Sequence, residues 1–108
     1  MQINYQHKEL AAGRWAQMTL ANQMLNIGSE ISRANRWKNK GNQEQCEKAV
    51  FRALELIDLT IEAQRGHHSL KEFTRMRETI CDYYLGENEY HSNGARIQKD
   101  FDIFYYSK

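Results

Sequence analysis

Apolar residues recur at helical spacing along most of this chain, and short polar turns interrupt the recurrence. Leu20, Met24, Ile27, Ile31 and Ala34 follow one another at intervals of four, three, four and three. That spacing puts them on one stripe of an α-helix, as in a packing seam. It predicts a first helix from about Lys8 to Lys38, with Lys38 and Lys40 suiting the negative end of its dipole. Gly13 and Gly28 lie inside this span, and each costs about 1 kcal/mol relative to alanine in a helix interior. Ala21, Gly28 and Ser32 form a stripe of small residues where a second helix can come close. The alternative is a bend at Gly28-Ser29.

Lys40-Gly41-Asn42 then makes a tight turn. Asn42 is a good N-cap, and Gln45 stands where a capping box places Glu or Gln. A second helix follows over Gln43 to Gln64, burying Val50, Ala53, Leu54, Ile57 and Ile61, with Gly66 as its stop. Ser69-Leu70-Lys71-Glu72 reads as a capping box opening a third helix. Leu70, Phe73, Met76, Ile80 and Tyr84 are its buried face and Gly86 its end. A polar loop, Glu87 to Gly94, leads to a fourth helix carrying Ile97, Phe101, Phe104 and Tyr105. Short connections between helices imply antiparallel neighbours. The expected fold is a single all-α domain over residues 1–108, an up-and-down four-helix bundle. Its expected core is Ile27, Ile31, Val50, Ala53, Ile57, Ile61, Phe73, Ile80 and Phe101.

Composition narrows the function more than the fold. With 108 residues and 41% hydrophobic content the core is modest, and a homodimer is the natural way to bury more surface. A net charge of +1 argues against a generic nucleic-acid or membrane-surface binder. No apolar run approaches the roughly 20 residues of a membrane span. The first residues lack the pattern of a signal peptide. Cys46 and Cys81 show no metal spacing, so a cytoplasmic protein with free thiols is expected. Residues 1–54 carry eight Lys/Arg and four Asp/Glu, and residues 55–108 carry seven and ten. The simplest expectation is that these opposite charges pair across the bundle.

The turn at Gly41 and its flanks resemble a single degenerate tetratricopeptide-type hairpin over about residues 27–61. Gly41 takes the turn glycine, Cys46 the small position, Val50 the bulky one, and Ala53-Leu54-Glu55-Leu56 the usual ending. Ala34 and Trp37 fill the small and aromatic positions of the first helix, whereas Glu30 and Arg33 depart from the pattern and the closing proline is missing. The resemblance implies helical-hairpin packing. Peptide binding would need stacked repeats, and no tandem repeat is visible. The four-helix pattern also looks like the small HEPN class, which implies an RNA-processing or nucleotidyltransferase-associated role. That class's Arg-(four to six residues)-His motif is not found. His67 and His68 follow Arg65 too closely, and Arg77 lies too far before His91.

Three residue groups carry candidate chemistry. Glu55, Asp58 and Glu62 form one carboxylate stripe, and Glu78 with Asp82 another, yet the Glu-x-x-His pairs of di-iron bundles are absent. No metal, no cofactor and no catalytic residue is therefore expected, and paired His67-His68 reads as a solvated turn. Arg33, Arg36, Lys38 and Lys40 surround Trp37, a combination that can bind phosphate and stack a base. Seven of the twelve aromatics lie between Tyr83 and Tyr106. Tyr83, Tyr84, Tyr90, Phe104, Tyr105 and Tyr106 form a candidate interface, because a small bundle cannot hide them all. The expectation is a non-enzymatic protein-interaction module, homodimeric or the subunit of another protein. The alternatives are a HEPN-like protein with a diverged site and a nucleic-acid binder using Arg33 to Lys40.

Overall fold

The computed structural model describes residues 13–106, with residues 104–106 described by backbone alone. Four α-helices and one π-helical segment are present: α1 (Leu20–Asn39), α2 (Gln43–Ala63), α3 (Leu70–Ile80), the π segment (Cys81–Leu85) and α4 (Gly94–Tyr106). Residues 13–16 are helical as well, and no strand occurs among the described residues. The all-α class holds, and the simple four-helix up-and-down bundle does not. Among the described residues five helical elements, besides the short turn at residues 13–16, stand where four were expected.

Two departures explain the difference. The predicted first helix breaks at residues 17–19 rather than at Gly28. Thr19 adopts extended backbone with ψ 153° and accepts from the Asn22 amide at 3.1 Å, so α1 begins afresh at Leu20. The break lets Trp15 turn inward. Its indole N–H donates to Thr60 Oγ1 at 2.8 Å, and its carbonyl accepts from the fully buried Gln23 side chain at 2.8 Å. Residues 8–12 of the predicted helix lie outside the described residues. The second departure is at the end of α3, where the helix widens into the π segment before Gly86. An extra residue per turn leaves Tyr84 buried and Leu85 exposed.

The α1–α2 hairpin is as expected. Gly41 takes a φ of +76°, which only glycine adopts without strain. Asn42 Oδ1 accepts from the Gln45 amide at 3.1 Å. At α3 the expected capping box does not form. Ser69 makes no side-chain cap bond, and its own amide instead donates to His67 Nδ1 at 3.0 Å. α1 packs most extensively on α2 and on α4, and α3 leans on α2. Gly28 is the reason α4 comes so close. A Cβ there would meet Gln98 Nε2 and Phe101 Cβ, both at 3.3 Å. The core contains eight of the nine expected residues, and Ile61 is only half-buried at its edge.

Candidate functional site

The end of α1 and the first half of α2 form a cationic groove. Residues 33, 36, 37 and 40 are spaced i, i+3, i+4 and i+7, which is one face of a helix. Arg33, Arg36, Trp37 and Lys40 accordingly line one wall, with Gln45 and Arg52 of α2 opposite, around a volume of about 390 Å³. Glu30, whose side chain is 15% exposed, holds Arg33 at 3.1 Å and Arg52 at 3.2 Å. One carboxylate thus fixes two guanidiniums side by side. Each uses one nitrogen on Glu30, which leaves further N–H donors free to turn toward the groove. Arg36 and Lys40 make no ion pair among the described residues. Lys40 Nζ lies 5.4 Å from the Trp37 ring centroid.

Lys38 is not part of this groove. Two residues past Arg36, it points to the other side of α1, where its ammonium sits 5.1 Å from the Tyr83 ring. Arg52 and Gln45 are additions that the α1 pattern alone does not reveal. Their signal is in α2, where positions 45, 49, 52 and 56 share the side turned to α1 once the hairpin closes. The charge imbalance between the chain halves also survives folding. Three of the five ion pairs among the described residues lie within residues 1–54 and two within residues 55–108, so none joins the two halves as expected.

The aromatic residues near the C-terminus separate into different environments. Tyr84 is buried, and its hydroxyl donates to Asn35 Oδ1. Burial pushes its phenol above the ordinary value. Asn35 Nδ2 donates to the Gly94 carbonyl at 3.1 Å, so one amide ties α1 to the π segment and to the start of α4. Tyr83 is half-buried and packs edge-on against Tyr84. Tyr90 is 58% exposed. The candidate interface residues Phe104, Tyr105 and Tyr106 lie on α4, with side chains outside the described residues.

Tyr90 is exposed yet held in place. The Asp82 carboxylate accepts the amides of Glu89 at 2.8 Å and Tyr90 at 3.0 Å. The Tyr90 hydroxyl donates to Glu78 at 3.3 Å, and that carboxylate raises its phenol above the ordinary value. Asn88 and His91 both take positive φ, 55° and 52°, to turn the loop. Beside Tyr90 a groove of about 650 Å³ runs along the outer face of α3, past Leu70, Lys71, Thr74, Arg75 and Glu78.

Four of the five stripe carboxylates, Asp58, Glu62, Glu78 and Asp82, are engaged in structure. Arg77 pairs with Asp58 at 2.7 Å, Arg65 with Glu62 at 2.8 Å, and Asp82 and Glu78 hold the Tyr90 loop. Among the described residues no three His, Cys, Asp or Glu side chains are grouped to hold a metal ion. His67 stacks on His68 at 4.3 Å. Both cysteines are free, and burial raises the Cys46 thiol above its ordinary value. Among the described residues no helix is long and apolar enough to cross a membrane. The chain matches no known protein-family model, and neither a curated protein nor a solved structure is significantly similar to it.

Proposed function

We propose that this protein is a non-enzymatic helical interaction module that pairs with a second copy of itself through the face carrying Tyr90. The observation that supports this reading is an exposed aromatic side chain fixed by five backbone and side-chain constraints over a long groove: Asp82 on two amides, Glu78 on the hydroxyl, and two left-handed residues. A large side chain ordered before binding loses little entropy on docking, and such aromatics are typical anchors of interfaces. The outer face of α3 is also suited to meet itself. Lys71 and Arg75 stand toward one end of the groove and Glu78 toward the other. A two-fold axis would set the basic end of one α3 against the acidic end of its mate. An interface of ordinary size buries roughly 1,200–2,000 Å² in total.

Sedimentation at micromolar concentration tests the reading. The wild-type chain is expected as a dimer and Tyr90→Ala as a monomer of unchanged helicity by circular dichroism. A monomeric wild type at those concentrations overturns it.

A further inference from the structure

We propose that the cationic groove between α1 and α2 is a binding site for a nucleoside phosphate, with the phosphate held by Arg33, Arg36 and Arg52 and the base laid on Trp37. The inference is independent of association through Tyr90, which lies on a different face. Four cationic side chains and one indole converge there on about 390 Å³, within the usual size of a small-ligand site. The wall supplied by Gln45 and Arg52 of α2 gives this arrangement a second side that a lone basic helix end lacks.

The chemistry of each residue fits a separate part of such a ligand. Guanidinium is planar, permanently charged and suited to paired hydrogen bonds with phosphate oxygens. Arg33 and Arg52 are held in register by Glu30, so these two guanidiniums are placed side by side before a ligand arrives. Glu30 is itself shielded, at 15% exposure, and presents its charge to the two arginines rather than to the groove. The surplus positive charge therefore remains on Arg36 and Lys40, which pair with no acid among the described residues. Trp37 is half-buried with Lys40 over its ring, so that face is open to a flexible ammonium. A base can take the same face while Lys40 swings to the phosphate, since every base offers a π-surface to stack. Gln45 adds a side-chain amide, donor and acceptor together, on the far wall. An acidic peptide would satisfy the cations and leave Trp37 and Gln45 without a role. The ligand chemistry is the same in a free nucleotide and in a nucleotide of a single strand.

The full chain is titrated at low salt with adenosine 5′-monophosphate, inorganic phosphate, adenosine, a short oligothymidylate and polyglutamate. Tryptophan emission and calorimetry are the readouts. Trp15 is buried against Thr60, so a ligand-dependent change in emission reports Trp37, and Trp37→Phe removes that change. Saturable binding of the monophosphate is expected, with adenosine and phosphate each weaker by about tenfold or more, because each lacks one of the two contacts. Arg36→Glu should weaken it by about tenfold or more. Lys40→Glu, equally exposed, serves the same purpose should the first variant not fold. Lys38→Glu, against Tyr83 on the other side of α1, should stay within about twofold when it and Arg36→Glu are compared at about 0.15 M salt, where the screening length is about 8 Å. Oligothymidylate binding about tenfold tighter than the monophosphate assigns the base to a strand, and equal affinity assigns it to a free nucleotide. The proposal is overturned if the monophosphate does not saturate, if phosphate alone binds as well, if Lys38→Glu loses as much as Arg36→Glu, or if polyglutamate matches the oligothymidylate.

Discussion

Asn35 joins α1 to the π segment and to the start of α4 through one side chain. It accepts from Tyr84 and donates to Gly94, and its amide fills the space where a Cβ of residue 94 would stand. Asn35→Ala removes both partners at once and leaves a largely buried hydroxyl unsatisfied. Each such loss costs about 1–3 kcal/mol, so a drop of about 2 kcal/mol or more in urea unfolding is expected. A change within half that amount would show water replacing the amide. Tyr84 gives the same region a pH signature. Its phenol is raised above the ordinary 10.0, first by burial and then by Tyr83. The folded state therefore keeps the proton after the unfolded state has lost it. The stabilisation is fully present below pH 10 and is lost as pH rises beyond it. Denaturant midpoints of wild type and Tyr84→Phe should converge above pH 10, because the variant lacks this titration. Ile57 is the simpler case, buried at the centre of α2. Ile57→Ala should cost about 2–5 kcal/mol, and a much smaller loss would mean that the site collapses around the smaller side chain.

At the scale of elements, α2 and the α1–α2 turn were legible because their chemistry is local. Asn42 caps, Gly41 turns, and the apolar period sits on the inner face. The π segment was not legible. Cys81 to Leu85 contains no breaker, and its widened turn is selected by the burial of Tyr84 against Asn35, which lies far away in sequence. The start of α1 was hidden for a related reason. Thr19 is a cap-type residue in a polar stretch, and what makes it a boundary is Trp15 reaching Thr60, forty-five positions on. The cationic groove was half legible. Arg33, Arg36, Trp37 and Lys40 share a helical face in the sequence, while Arg52 joins them only through Glu30. Gly28 gives the element-scale test. A valine there must displace Phe101 or Gln98, both 3.3 Å from its Cβ. Overpacking of this kind costs about 1–3 kcal/mol, so Gly28→Val should lower the unfolding midpoint. Gly13→Ala, whose Cβ meets nothing within 4 Å, should not. Equal midpoints for Gly28→Val and wild type would show that α4 can move away freely.

At the scale of the whole molecule, the positive half of the chain keeps its groove and the negative half keeps its paired acids. The Tyr90 face draws its charges, Lys71, Arg75 and Glu78, from one helix of both signs. A near-neutral chain of this kind has little long-range repulsion to oppose self-pairing. If two copies join through Tyr90, folding and association are linked, and the complex withdraws folded chains from the unfolding equilibrium. The thermal midpoint should then rise with protein concentration, by several degrees over a hundredfold range, since about 2.7 kcal/mol is available at 100 times the dissociation constant and about 1 kcal/mol moves a domain of this size by roughly 4–8 °C. Tyr90→Ala should flatten that dependence while holding the midpoint of the dilute wild type, because Tyr90 is exposed and takes no part in the core. Differential scanning calorimetry across the concentration series measures both. A midpoint independent of concentration in the wild type would leave the Tyr90 face without a second copy to meet.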